Sequence, residues 1–390
     1  MNKPFENLLV LDLSRYLLGA YTSLYFADFG ARVIKVEDTK TGDYCRREQP
    51  LIEGESYYHY ALDRNKESIS LNLKDPEALS FFHELVCAAD ILIENYRPGV
   101  TKRLGIDYET LKEINPGIIY CSFSAYGQKD PRSLQALHDI NIVAETGFYD
   151  LNEGNVALLP PADFAAAMVG LQGTLTALIA RQTTGSGCQV DAAMYDSLVW
   201  CNAMLDSRWY FRGGNFPSTA REYPAIGYNV YHTKDNRMLA FGFYEPEFWN
   251  AFCTDIERED LFSILKDTPQ QNPEGFRAVV ETVAGKTYDE WLEWLNEHEH
   301  CITPVVDKTE AIGNAISTNP ELINYVTYPR LGKVLQTNTP HSMGSMKASL
   351  EDAREPELLG ESTHRLLAEF GYSSDTIERL VATGAIRCSS

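Results

Sequence analysis

Several things are scarce or missing in this 390-residue sequence, and each lack removes a class of function. Eight cysteines stand at 45, 87, 121, 188, 201, 253, 301 and 388, yet none forms a C-x-x-C pair or a zinc-like spacing with histidine. They read as reduced thiols, with Cys87, Cys121, Cys201 and Cys253 in apolar stretches expected to fill the core. Basic residues are few: 34 Lys and Arg against 55 Asp and Glu leave a formal charge of −21, which disfavours a nucleic-acid partner. No run approaches the ~20 continuous apolar residues of a membrane helix, so no membrane partner is expected. MNKPFENLLVLDLS lacks the apolar core and cleavage site of a secretory leader, so a cytoplasmic location is expected. The turn after the first strand-like run, DLSRYLLGAY, carries one glycine where a dinucleotide loop needs G-x-G-x-x-G, which sets aside a nicotinamide enzyme. GxxxxGK[ST], HExxH and GxSxG are absent too, so neither a metal nor a separate cofactor is expected.

What remains is strand alternating with helix. LLVLDLS, ARVIKVE, SISLNLK, DILIENY and GIIYCSFSAYG read as strands, separated by the helical spacings of GAYTSLYFADFG, DPEALSFFHELVCAA and YETLKEIN. Asp75 is the expected N-cap of the second of these helices, with Pro76 at its first position. The alternation predicts an α/β fold with a mostly parallel sheet covered on both faces and ligands at the carboxyl ends of its strands. Ala162–Thr184, apolar nearly all round, predicts a buried helix. Beyond residue 221 the texture becomes aromatic, with two strands joined by the KDNR turn. This predicts a large domain over 1–224, completed by 326–390, and a smaller α+β domain over 225–325. From Arg330 the chain reads as polar and extended, then as two terminal helices.

Three short runs carry titratable groups among apolar or small neighbours: LHDIN with His138, PADFAAAMVG with Asp163 and FYEPEFW with Glu245. An imidazole and two carboxylates are the groups that move a proton at neutral pH. Each also has an ordinary reading: a structural histidine, a helix N-cap, an acid before proline at a helix start. Arg15, Lys66, Lys74, Arg97 and Arg103 flank predicted strands and would make a cationic mouth for phosphates, or else be plain solvated charges. Tyr228, Tyr231, Phe243 and Trp249 line an acyl pocket or belong to the core of the small domain.

LVLDLSRYLLGAYTSLYFADFGARVIKVE, DRNKESISLNLKDPE, ADILIENYRPGVTKRLGIDYETLKEINPGIIYCSFSAYGQ and TGSGCQVDAAMYDS together closely resemble the class III coenzyme A transferase family over nearly the whole chain. The resemblance implies an acyl-CoA thioester substrate, a Rossmann-like large domain, a small domain and an interlocked homodimer. It implies CoA contacts by Arg15, Lys66, Leu71, Lys74, Asn95, Tyr96, Arg97 and Arg103. HDIN and EPEFW resemble the α-methylacyl-CoA racemase branch, in which His138 and Asp163 would be the acid/base pair and Glu245 the acid that orients the imidazole. Racemisation needs one base on each face of the α-carbon, and two groups 25 residues apart in different elements can meet that demand. In the alternative, CoA transfer to a free carboxylic acid, Asp163 is the nucleophile.

Overall fold

The computed structural model describes residues 3–151, 154–214, 224–344 and 346–389. The chain divides into two compact units, Met1–Ala203 with Asn319–Ser390, and Met204–Thr318.

A seven-stranded sheet organises the first unit. Its strands are β1 (Leu9–Asp12), β2 (Arg32–Glu37), β3 (Lys66–Leu71), β4 (Ile91–Glu94), β5 (Ile119–Ser124) and β6 (Gln189–Ala193), in the spatial order β3-β2-β1-β4-β5-β6, all parallel. The short segment Ile386–Arg387 adds an antiparallel edge to β3. Between the strands lie α1 (Leu17–Asp28), α2 (Tyr57–Leu62), α3 (Pro76–Ala88), α4 (Asp139–Glu145) and α5 (Pro161–Thr184), and α6 (Met194–Cys201) follows β6. Helices cover both faces, so β1 and β4 are buried on both sides and read as continuous apolar runs. On one face Phe81, Phe82 and Leu85 of α3 pack with Leu366 and Leu380 against Leu11, Ile34 and Leu92. On the other, Phe26 of α1 and Ala166 and Leu171 of α5 pack against Val10, Ile93 and Phe123. The α3 start is as expected: the Asp75 carboxylate accepts from Glu77 N at 2.9 Å and Ala78 N at 3.2 Å, with Pro76 next to it.

Helix α5 departs from expectation. Only a stripe of mostly small residues, including Ala162, Ala166, Gly170, Thr174 and Ala177 together with Leu171, is buried, while Met168 and Ile179 are exposed. Gly170 lets the helix approach Phe123 so closely that a Cβ would lie 2.3 Å from its ring. Apolar composition all round does not say how many sides have a neighbour, and the sheet covers one. By length and composition this helix is also the one among the described residues that could cross a membrane, but its small-residue stripe packs on β5 and β6. All eight cysteines are free; Cys121 and Cys253 are buried as expected, whereas Cys87 and Cys201 are exposed and Cys45 takes a core position. The polar stretch around Arg330 forms a hairpin, Ile323–Tyr328 against Gly332–Thr337. Its buried Gln336 donates to Tyr60 O at 3.0 Å and accepts from Arg64 at 3.1 Å, which gives a polar sequence an internal place.

The second unit holds an antiparallel sheet of β7 (Tyr228–His232), β8 (Met238–Gly242) and β9 (Ile302–Val305), with α7 (Pro246–Asp255), α8 (Pro273–Val283) and α9 (Tyr288–Glu297). Tyr231, Phe243 and Trp249 are core, and Trp249 donates its indole N–H to Leu261 O at 2.8 Å. Tyr228 is exposed.

Candidate active site

The strand order reverses between β1 and β4, so the loops after these two strands diverge and leave a crevice at their carboxyl ends. The two loops are tied across it: Arg15 N donates to Asn95 Oδ1 at 2.9 Å, and Asn95 Nδ2 donates back to Arg15 O at 2.7 Å. The Arg15 guanidinium stacks over Tyr44 at 4.8 Å, lies 5.4 Å from the Tyr96 ring and donates to Tyr44 Oη at 2.9 Å. Tyr16 turns the chain into α1 at φ +59°, a strained value for a non-glycine residue, and Asp43 holds it by accepting from its N–H at 3.1 Å. A cavity of about 1680 Å³ opens here. Residues at or just beyond the end of each parallel strand line it: Arg15 after β1, Lys40 after β2, Leu71 and Lys74 at β3, Asn95, Tyr96, Arg97 and Arg103 after β4, Ser124 and Ala125 at β5, and Met194 after β6.

His138 and Asp163 line the same cavity. Both come from the long β5–β6 crossover. His138 is exposed at the N-cap of α4, where its backbone N–H donates to Asn141 Oδ1 at 3.1 Å. Asp163 is the third residue of α5, and its carboxylate makes no hydrogen bond among the described residues, so it caps nothing. Burial, helped by the nearby Asp139 carboxylate, pushes the Asp163 carboxyl up to about 7. Tyr58 of α2 stands on the same wall, its phenol pushed up to about 12 by burial, Tyr57 and the Asp163 charge. The first turn of α5 is unusual. Its N-cap and first residue are Pro160 and Pro161, which offer no capping side chain, and the free N–H groups of Ala162 and Asp163 both donate to Asp139 Oδ1, at 2.7 and 3.0 Å.

The sequence pattern of CoA-transferase family III matches residues 5–363. The chain belongs to this family. Among similar proteins, the succinyl-CoA:glutarate CoA-transferase of Mus musculus is 28% identical over 98% of this chain and 90% of its own length. The human alpha-methylacyl-CoA racemase is 29% identical over 96% and 95%. The crystal structure of a CAIB/BAIF family protein from Brucella suis superposes with a TM-score of 0.82 at 25% identity, covering 95% of this chain and all of that one.

Of the family-derived positions, the cavity brings together Arg15, Leu71, Lys74, Asn95, Tyr96, Arg97, Arg103, His138 and Asp163. It does not include Lys66. That lysine opens β3, away from the carboxyl-end rim, and is 3% exposed; its ammonium donates to Asp63 at 2.9 Å, Asp12 at 3.3 Å and Ala20 O at 3.2 Å. Lys35 joins it, 2.8 Å from Asp43 and 3.7 Å from Asp63. Burial opposes ionisation of Asp12 and Asp63, but the two lysines, together with hydrogen bonds from Ser14 and Ser23 to Asp12 and from His59 to Asp63, hold both carboxyls below their usual range. Lys66 thus belongs to a buried ion group, and this corrects its assignment to the phosphate-facing set. Glu245 lies in the second unit, exposed at the N-cap of α7. Among the described residues no cluster of His, Cys, Asp or Glu is placed to hold a metal. Sequence reasoning missed Tyr58, Lys40 and Asp139. Only Asp139 left a signal: a helix opening on two prolines must find its cap elsewhere, and an acid beside His138 was a candidate.

Proposed function

We propose that this chain epimerises carbon 2 of a 2-methylacyl-CoA thioester, with coenzyme A as part of the substrate and no separate cofactor. The observation that carries the reading is the presence of His138 and Asp163 on the wall of one cavity that also carries Arg15, Lys40, Lys74, Arg97 and Arg103. One group removes the α-proton, the C–H electron pair becomes the C=C bond of an enolate as the carbonyl π pair moves onto the thioester oxygen, and the other group returns a proton to the opposite face as that pair re-forms the carbonyl. A carboxyl near 7 suits this task, since it is present in both forms at neutral pH. Arg15, Lys74, Arg97 and Arg103 are suited to the phosphates of CoA, with Asn95 and Tyr96 shaping the crevice between them. The likeness to alpha-methylacyl-CoA racemases supports the same reading.

The test is deuterium exchange: a chiral 2-methylacyl-CoA incubated in deuterated water without an acceptor acid gains deuterium at carbon 2 and loses optical purity. His138→Ala and Asp163→Asn each slow exchange by at least about 100-fold. Glu245→Gln, which tests the orienting role, costs less than either. The likeness to CoA-transferases favours a second reading: Asp163 attacks the thioester carbonyl and displaces the CoA thiolate, the thiolate attacks the aspartyl carbonyl of the mixed anhydride and releases the donor acid, and the aspartyl-CoA thioester then gives CoA to a free acid. In that case native protein shows no exchange, and hydroxylamine traps an Asp163 acyl species even in His138→Ala.

The same reading takes a second copy of this chain as partner. The outward side of α5 presents Ile179, 68% exposed, and Met168, 42% exposed, and Trp200 is 63% exposed. Exposed apolar side chains on the free side of a long helix are suited to burial against a second copy.

A further inference from the structure

The Asp139 carboxylate has no part in the proton transfers proposed above. We infer that Asp139 is the positioning residue of this site, fixing the Asp163 helix turn to the segment that carries His138. The inference rests on the reading of His138 and Asp163 as the reacting pair. Three observations carry it. Asp139 Oδ1 receives both free N–H groups of the first turn of α5, at 2.7 and 3.0 Å, one of them the N–H of Asp163 itself. Pro160 and Pro161 leave that turn without a cap of its own, so the distant carboxylate is the cap. Asp139 is the neighbour of His138 in sequence, so the backbone bearing one cavity group is linked by a single side chain to the backbone bearing the other. Displacement of either acid/base group by about 1 Å is enough to cost two orders of magnitude in rate, which makes such a tether worth its half-buried charge.

The tether has an electrostatic side. Tyr58 of α2 and Asp139 are the titratable neighbours whose charges couple to Asp163, with Tyr21 of α1 behind Phe164 at 5.0 Å between ring centroids. Asp139 therefore raises the proton affinity of the carboxyl it positions.

Two variants separate the roles. In Asp139→Asn the amide oxygen still accepts both N–H groups while the charge is gone; in Asp139→Ala both are lost. The full-length protein, labelled with ¹³C at aspartate carboxyls, is titrated by NMR, and the Asp163 signal is identified by its absence in Asp163→Asn. Exchange of a chiral 2-methylacyl-CoA in deuterated water is followed against pH in parallel. Asp139→Asn is expected to keep exchange within about threefold at its optimum, with the Asp163 titration and the matching limb of the pH profile moved about one unit toward acid. Asp139→Ala is expected to lose about tenfold or more. An alanine variant as active as native, or an asparagine variant whose Asp163 titrates as before, overturns the inference. If the native chain exchanges nothing but the Asp163 titration moves as stated, the epimerase reading falls and the coupling of Asp139 to Asp163 stands.

Discussion

Asp163 shows what a buried carboxyl costs the fold that holds it. Its carboxyl lies above its ordinary value, so the folded chain binds that proton more tightly than the unfolded chain does. Stability from this group is therefore greatest below pH ~4 and is lost as the pH rises toward 7. Asp163→Asn should abolish turnover yet raise unfolding free energy by about 1–3 kcal/mol at pH 8, with the gain shrinking as the pH is lowered toward 4. Urea denaturation at several pH values checks this, and an asparagine variant no more stable than native at pH 8 would contradict the burial argument.

At the scale of elements, α1 is pressed against the turn that precedes it. A Cβ on Gly19 would lie 2.2 Å from Ser14 Cβ and 2.9 Å from Ile93, so Gly19→Ala should cost about 1–3 kcal/mol and weaken CoA binding together with stability, measurable by denaturation and by calorimetry with CoA. The single glycine in DLSRYLLGAY thus serves close packing rather than a phosphate loop. This explains what could be read beforehand. β1 and β4 were legible because strands buried on both faces must be apolar, β2, β3 and β5 through their strand-like runs, and the helix spacings between them were equally plain. The covered side of α5 was not, because its residues are small and apolar around the whole circumference. His138 and Asp163 were singled out through the runs around them, and both line one cavity. Lys66 was misplaced because a lysine beside a strand looks alike at either end, and only chain direction within the sheet tells rim from interior.

Across the molecule, charge is distributed unevenly. The chain carries −21 overall, yet Arg15, Lys40, Lys74, Arg97 and Arg103 gather on one cavity. The same cavity also carries Glu37, Asp38 and Glu48, with Asp38 3.7 Å from Arg15, so an anionic ligand would be drawn to the Lys74, Arg97 and Arg103 side of the rim. The uncovered side of α5 makes the remaining prediction: sedimentation equilibrium should give a dimer, and Ile179→Glu should shift it toward monomer by placing a charge where apolar surface meets apolar surface. A native monomer at micromolar concentration would refute the homodimer.

The β5–β6 crossover bears both groups proposed to handle the proton, whereas the loops after β1 to β4 supply the cations of the rim. Under the proposed reading, chemistry and substrate grip are therefore written on separate stretches of one polypeptide. Replacing the single contiguous stretch 125–188 exchanges His138, Asp139 and Asp163 together and leaves every arginine at the mouth in place, so a lineage with this architecture can change what it does to a thioester without relearning how to hold one.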